Sequence, residues 1–188
     1  MKTDIANITC TPVLGGAVAG RALFAALSTL AQDRPPSPTG WLWDCQGVQV
    51  ISASFVRESL VSMRALLRAQ RSTLIPVIVN ATVDVREDLH NAFTVANDAI
   101  LIATADAAGR LSDIALLGAI DAHLQETFTL VAERGETDAK DLKELTDARP
   151  GAVPIVQTAW NNRLAKLAEL GALVEIPHGR AKRYRLFT

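Results

Sequence analysis

The order of elements after about residue 136 constrains this chain more than any other feature. The spacing of apolar residues predicts a short helix over 137–145 and a second helix that runs from 155 to Gly171. Between them, residues 146–154 contain two prolines and a glycine, which a continuing helix tolerates poorly. The pattern therefore predicts two helices joined by a turn.

Two strand-like segments follow the second helix. Residues 172–176 and 183–187 are rich in apolar and aromatic side chains, and residues 177–180 supply a turn. The helices and this hairpin together predict a small α+β domain in which the hairpin flanks the second helix.

Residues 158–175 (TAWNNRLAKLAELGALVE) and 179–186 (GRAKRYRL) resemble the recognition helix and wing of bacterial winged helix-turn-helix regulators. The resemblance implies binding to double-stranded DNA as a homodimer, because two half-sites multiply affinity and specificity. Amides can pair with adenine, arginine can pair with guanine, and wing cations neutralise phosphates. The candidate DNA-binding residues are Gln157, Thr158, Asn161, Asn162, Arg163, Arg180, Lys182 and Arg183.

Charge is patterned along the C-terminal third, although the whole chain carries a formal net charge of only −1. Residues 150–188 hold six basic and two acidic side chains, whereas residues 121–149 hold four basic and eight acidic ones. Any contact with DNA must therefore come from a local basic face. Winged helices also dock on proteins, so a protein-binding module is the alternative interpretation.

The first hundred residues predict an α/β domain. Strands are expected over 4–10, 41–45, 74–80 and 99–104, with helices from about 17 to 31, 55 to 70 and 83 to 96. This alternation implies a sheet with helices packed against it. The segment Asp44-x-x-Gly-Val-x-Val-Ile-Ser-Ala-Ser-Phe-Val-x-Glu-Ser-Leu60 resembles a STAS-like domain of unknown function from prokaryotes.

The STAS resemblance singles out Ser54 as a candidate regulatory residue. STAS domains include anti-sigma-factor antagonists in which a serine at a strand-to-helix junction is phosphorylated to break a protein complex. This chain has Ser-Ala-Ser-Phe where those antagonists carry Asp-Ser-Ser-Gly. Phosphate at a helix N-terminus is electrostatically favourable, while the alternative is that a serine here simply caps the helix.

The residues indicate no catalytic or metal constellation and no cofactor. The three histidines are widely separated, and the glycines at 15–20 lack the spacing and the lysine of phosphate-binding loops. Cys10 and Cys45 do not have the spacing of metal ligands, and both are expected to stay reduced. The apolar runs are shorter than the roughly 18 residues of a membrane span, and no secretory signal is expected, so the location predicted is cytoplasmic.

The sequence divides into two expected domains, residues 1–112 and 113–188. Apolar residues at helical spacing from Ile114 to Val131 predict a long first helix for the second domain. We interpret the chain as a DNA-binding transcriptional regulator and not an enzyme, with a STAS-like domain that senses a signal or a protein partner. The alternative is a partner-switching adaptor whose winged helix docks on protein.

Overall fold

The computed structural model describes residues 1–32, 35–151, 153–179 and 181–187. The chain forms two compact units, Met1–Ile120 and Asp121–Thr188. The boundary therefore follows Ile120, whereas the sequence placed it after residue 112. The reason is that Leu111–Gly118 forms a strand of the first unit.

The first unit alternates strands and helices along the chain. In order these are β1 (Lys2–Asp4), α1 (Ile5–Thr9), β2 (Val13–Leu14), α2 (Ala17–Leu30), β3 (Thr39–Asp44), β4 (Val50–Ile51), α3 (Ala53–Val56), a π-helical turn (Arg57–Val61), α4 (Ser62–Ala69), β5 (Leu74–Val79), α5 (Val83–Val95), β6 (Ala99–Ala105) and β7 (Leu111–Gly118).

The main sheet of this unit has five strands in the order β1-β3-β5-β6-β7. The first four strands run parallel, and β7 pairs antiparallel with β6. One apolar cluster joins alternate strand residues such as Trp43, Ile78 and Ile100 to residues of α2, α3, α4 and α5. The expected mixed α/β fold, a mostly parallel sheet with packed helices, is confirmed.

Two sequence expectations in this unit are wrong. Residues 5–9 form helix α1 where a strand was expected, because Asp4 accepts a hydrogen bond from the Asn7 backbone N–H and caps the helix. The predicted helix over 114–131 is interrupted, since its first part is β7 and the helix begins only at Ala122. An apolar run as short as that of Leu111–Gly118 suits either a helix or a strand, and its pairing with β6 makes it a strand.

Among its described residues, the second unit contains three helices and three short strands. These are α6 (Ala122–Arg134), β8 (Glu136–Thr137), α7 (Ala139–Asp147), α8 (Gln157–Glu169), β9 (Leu173–His178) and β10 (Ala181–Leu186). The strands form an antiparallel sheet in the order β8-β10-β9. The two predicted helices and the hairpin that follows are confirmed, with different bounds: the helix predicted over 137–145 is α7, the helix predicted over 155–171 is α8, and β9 extends into the predicted turn as far as His178.

The core of the second unit fixes the position of α8. Trp160, Leu164 and Leu167 lie on one side of α8 and are fully buried. The helix packs against both α6 and α7, and β9 packs beside it. Asp138 begins α7 by accepting hydrogen bonds from the backbone N–H groups of Lys140 and Asp141. The side of α8 opposite its buried stripe is consequently held out to solvent.

Candidate functional site

The exposed side of α8 brings together four of the predicted site residues. Gln157, Thr158, Asn161 and Asn162 are all exposed. Within the described part of the chain, none of these side chains takes part in a hydrogen bond. They occupy adjacent positions on successive helical turns, and the same face continues to Lys166. This face offers hydrogen-bond donors and acceptors that the fold itself does not use.

Arg163 does not belong to this exposed face. Its side chain is only 16% exposed, and its guanidinium carbon lies 4.9 Å from the centroid of the Trp160 ring. One guanidinium nitrogen is 3.9 Å from a Glu126 carboxylate oxygen on α6, within ion-pair range but beyond hydrogen-bond distance. Arg163 therefore lies between α8 and α6, beside the buried stripe of its own helix.

The turn before α8 exposes apolar side chains. Val153 is 83% exposed, and Val156, the residue immediately before the helix, is 64% exposed. No side chain caps this N-terminus, because Val156 has no oxygen to accept from the first-turn N–H groups. The N-terminal end of α8 thus combines open backbone donors with exposed methyl groups.

Three cationic side chains on β10 differ in their exposure and in their ion-pair partners. Lys182 is 61% exposed and pairs with Glu175 at 3.0 Å. Arg183 is 29% exposed and pairs with Glu136 at 3.1 Å and with Asp141 at 3.0 Å. Arg185 is exposed and forms no ion pair with any described residue. Arg180, also predicted to contact DNA, lies outside the described residues.

Arg185 is an exposed cation that was not among the residues predicted from sequence to contact DNA, whereas Arg183 was. The alternation of side chains along β10 could have indicated Arg185. Tyr184 is buried, so both neighbouring arginines lie on the opposite side of the strand. The acidic partners of Arg183 could not have been found this way. They come from β8 and from the first turn of α7, which only the folded unit brings to β10.

In the first unit, the strand-to-helix junction contains both serines of the Ser-Ala-Ser motif. Ser52 is the N-cap of α3, and its Oγ accepts hydrogen bonds from the backbone N–H groups of Phe55 at 3.3 Å and Gly16 at 3.1 Å. Ser54 lies in the first turn, half-buried, with its Oγ 3.2 Å from the Ser52 Oγ. The capping role therefore belongs to Ser52, which leaves Ser54 available for another role.

Polar groups at the carboxyl edge of the parallel sheet satisfy one another. The Asp44 carboxylate is almost fully buried, 2.7 Å from the Lys2 Nζ and 3.0 Å from the Asn80 Nδ2 that donates to it. The Asn80 Oδ1 in turn accepts from the Ala105 N–H. Burial, aided by the charge of Asp44, raises the pKa of the neighbouring Cys45 thiol to about 12, so this cysteine is a poor nucleophile.

Over the described residues, no group of histidine, cysteine and carboxylate side chains is placed to hold a metal ion. Both cysteines are free. Among the helices that the structure describes, none is long and apolar enough to cross a membrane.

No protein-family model matches this chain, and a comparison with curated proteins found no match.

Proposed function

We propose that this protein is a DNA-binding transcriptional regulator whose second unit is a winged helix-turn-helix domain. In this proposal α7 and α8 are the helix-turn-helix, α8 is the recognition helix, and the β9–β10 hairpin is the wing. The observation that carries it is the exposed face of α8. Four side chains there have hydrogen-bonding groups that the described residues do not use, and α8 packs against β9 of a hairpin that carries cations.

The residue types on the exposed face of α8 favour a helix that reads DNA over a helix that only completes the core. A helix that only completes a core needs its buried stripe and a solvated opposite side, for which long charged residues are common. Here the first two exposed turns carry amide and hydroxyl groups, which suit base edges in a major groove. The uncapped N-terminus adds free backbone donors for phosphate oxygens.

The cationic side chains of β10 differ in how readily they can leave their present partners and bind phosphate. An exposed pair such as Lys182–Glu175 is worth at most about 1 kcal/mol, so phosphate can displace the glutamate at little cost. Arg183 has two carboxylate partners and limited exposure, so we assign it to holding β10 against β8 and α7. The proposed phosphate contacts are therefore Lys182 and Arg185, with Arg163 assigned to packing.

Protein docking is the second candidate, and a specific observation favours it. The second unit as a whole holds ten acidic and ten basic residues, so its net charge does not attract nucleic acid. The exposed Val153 and Val156 would suit an apolar contact with another protein. A partner-switching adaptor would use the same face of α8 against a polypeptide.

The first unit is proposed to receive the signal, in keeping with the STAS resemblance. Ser54 supports a regulatory role because it lies at a helix start without serving as its cap. A phosphate there would add about −1.5 to −2 charge near an N-terminus that favours negative charge. A homodimer, which would double the DNA contacts, belongs to the same proposal.

Salt-dependent binding to a labelled random-sequence duplex tests the DNA proposal. Fluorescence anisotropy with the full chain at several salt concentrations should give an affinity that falls as salt rises. Lys182→Ala with Arg185→Ala should weaken binding and make the log–log slope shallower by about two, because each lost phosphate contact removes about 0.9.

A matched control removes two exposed cations from the first unit, Arg21→Ala with Arg57→Ala. It should leave both affinity and slope unchanged, which separates a local contact from a general charge effect. Equal effects of the two double variants, or no binding by the wild type, would favour the protein-docking candidate.

A further inference from the structure

The exposed face of α8 has the chemistry to recognise one class of base pair. Over residues 157–165 the exposed positions are Gln157, Thr158, Asn161, Asn162 and Ala165. Asparagine and glutamine amides can bond bidentately to the N6 and N7 of adenine. Methyl groups of threonine, alanine and the exposed Val156 can contact the methyl group of thymine.

Groups that recognise guanine are missing from the part of this face that residues 157–165 form. Arginine and lysine are the side chains that bond to the O6 and N7 of guanine. The one arginine of α8, Arg163, is packed on Trp160 and faces Glu126. The one lysine, Lys166, lies about 6 Å further along the helix axis than Asn162, outside the stretch from Gln157 to Asn162, and pairs with Glu169 at 3.0 Å.

We infer that α8 selects A·T base pairs in the major groove of duplex DNA, an inference that rests on the proposed function. The amides from Gln157 to Asn162 span about 7.5 Å along the helix axis, at about 1.5 Å per residue. Base pairs are spaced about 3.4 Å apart, so these side chains reach about three successive pairs. The preferred site therefore contains a short A·T core.

Selection from a library of duplexes with a randomised centre, using the full chain, tests this inference. The expected consensus contains about three adjacent A·T pairs, and replacing one of them by G·C weakens binding by about 5- to 150-fold in competition anisotropy. A consensus dominated by G·C pairs would overturn the inference, as would the absence of any consensus in a chain that binds random duplex.

Two variants on α8 make the test specific to the named residues. Asn161→Ala should lose discrimination at one base pair while its affinity for random duplex stays the same, and Asn161→Arg should move the preference at that pair to G·C. Arg163→Ala should return the wild-type consensus, because its side chain is not on the face. A G·C-to-A·T change caused by Arg163→Ala alone would contradict the assignment.

Failure of the inference and failure of the proposed function give different results. If the wild-type chain binds neither the random nor any selected duplex, the proposed function fails, and the inference fails with it. If random duplex binds with the salt dependence expected of phosphate contacts but A·T pairs are not preferred, only the inference fails.

Discussion

Arg163→Ala should destabilise the second unit without changing what it binds. The guanidinium stacks on Trp160 at 4.9 Å, and such a contact contributes about 0.5 to 2 kcal/mol. Its ion pair with Glu126, long and partly exposed, adds at most about 1 kcal/mol. The expected loss is therefore about 0.5–3 kcal/mol, of which the stacking contributes the larger share.

Hydrogen exchange measured by mass spectrometry over residues 157–170 isolates this effect from the first unit, whose Trp41 and Trp43 would dominate fluorescence. The free energy of opening of α8 should fall by the stated amount in Arg163→Ala. Asn162→Ala, a neighbouring exposed position, is the control and should stay within about 0.5 kcal/mol of the wild type. Equal stability of the two variants, with a changed DNA consensus in Arg163→Ala, would refute the packing role.

Three further predictions concern the first unit and the relation between the units. Ser52→Ala should cost about 0.5–2 kcal/mol in urea denaturation because it removes the cap of α3, whereas Ser54→Ala should cost less; equal losses would contradict the capping assignment. Ser54→Asp should change DNA affinity or partner binding while circular dichroism stays unchanged, and a phosphomimic that alters only the melting temperature would exclude a switch at this site. Burial raises the pKa of Asp98, but hydrogen bonds and charge from Arg64 and Arg68 outweigh burial and lower it overall. The carboxylate therefore stabilises the fold above the ordinary pKa of 3.8, and this contribution is lost as pH falls through the lowered value. Asp98→Asn should therefore be destabilising at pH 7, and its cost should decrease progressively as the pH falls below 3.8. A cost that does not change with pH would contradict the ion-pair interpretation.

Elements with a strong apolar period and clear end signals were predictable from sequence. The helices α2, α5 and α8 and the strands β5 and β6 fall where the residue pattern placed them. The helix α1 could also have been predicted, since Asp4 is a capping residue placed directly before Ile5. Its five residues gave too short a period to outweigh the weak alternation of the surrounding segment.

The strand β7 could not be predicted from the local sequence. Its apolar residues recur at a spacing that suits a helix, and no local signal opposes this. Asp113 at φ +51° breaks the regular backbone, and a register irregularity in the pairing falls between Ile102 and Thr104 of β6. Gly118 ends the strand where a side chain would collide with the Asp98 carbonyl oxygen, at 2.2 Å from the added Cβ. These constraints are tertiary, because they arise from β6 and from the loop before it.

Within the candidate site, the exposed amides of α8 were predictable and the state of the cations was not. A helical period alone separates the Trp160 stripe from the face that carries Asn161 and Asn162. The ion pairs of Arg163 and Arg183 depend on α6, β8 and α7, which are distant in sequence. Only the fold distinguishes these arginines from Arg185.

A titration of the ¹⁵N-labelled full chain with duplex DNA, followed through side-chain amide signals in NMR spectra, tests the central claim most directly. We expect the amide signals of Gln157, Asn161 and Asn162 to shift on binding while those of Asn7 and Asn80 in the first unit do not. Duplex binding that leaves the three α8 amides unchanged and shifts the first-unit signals instead would contradict it.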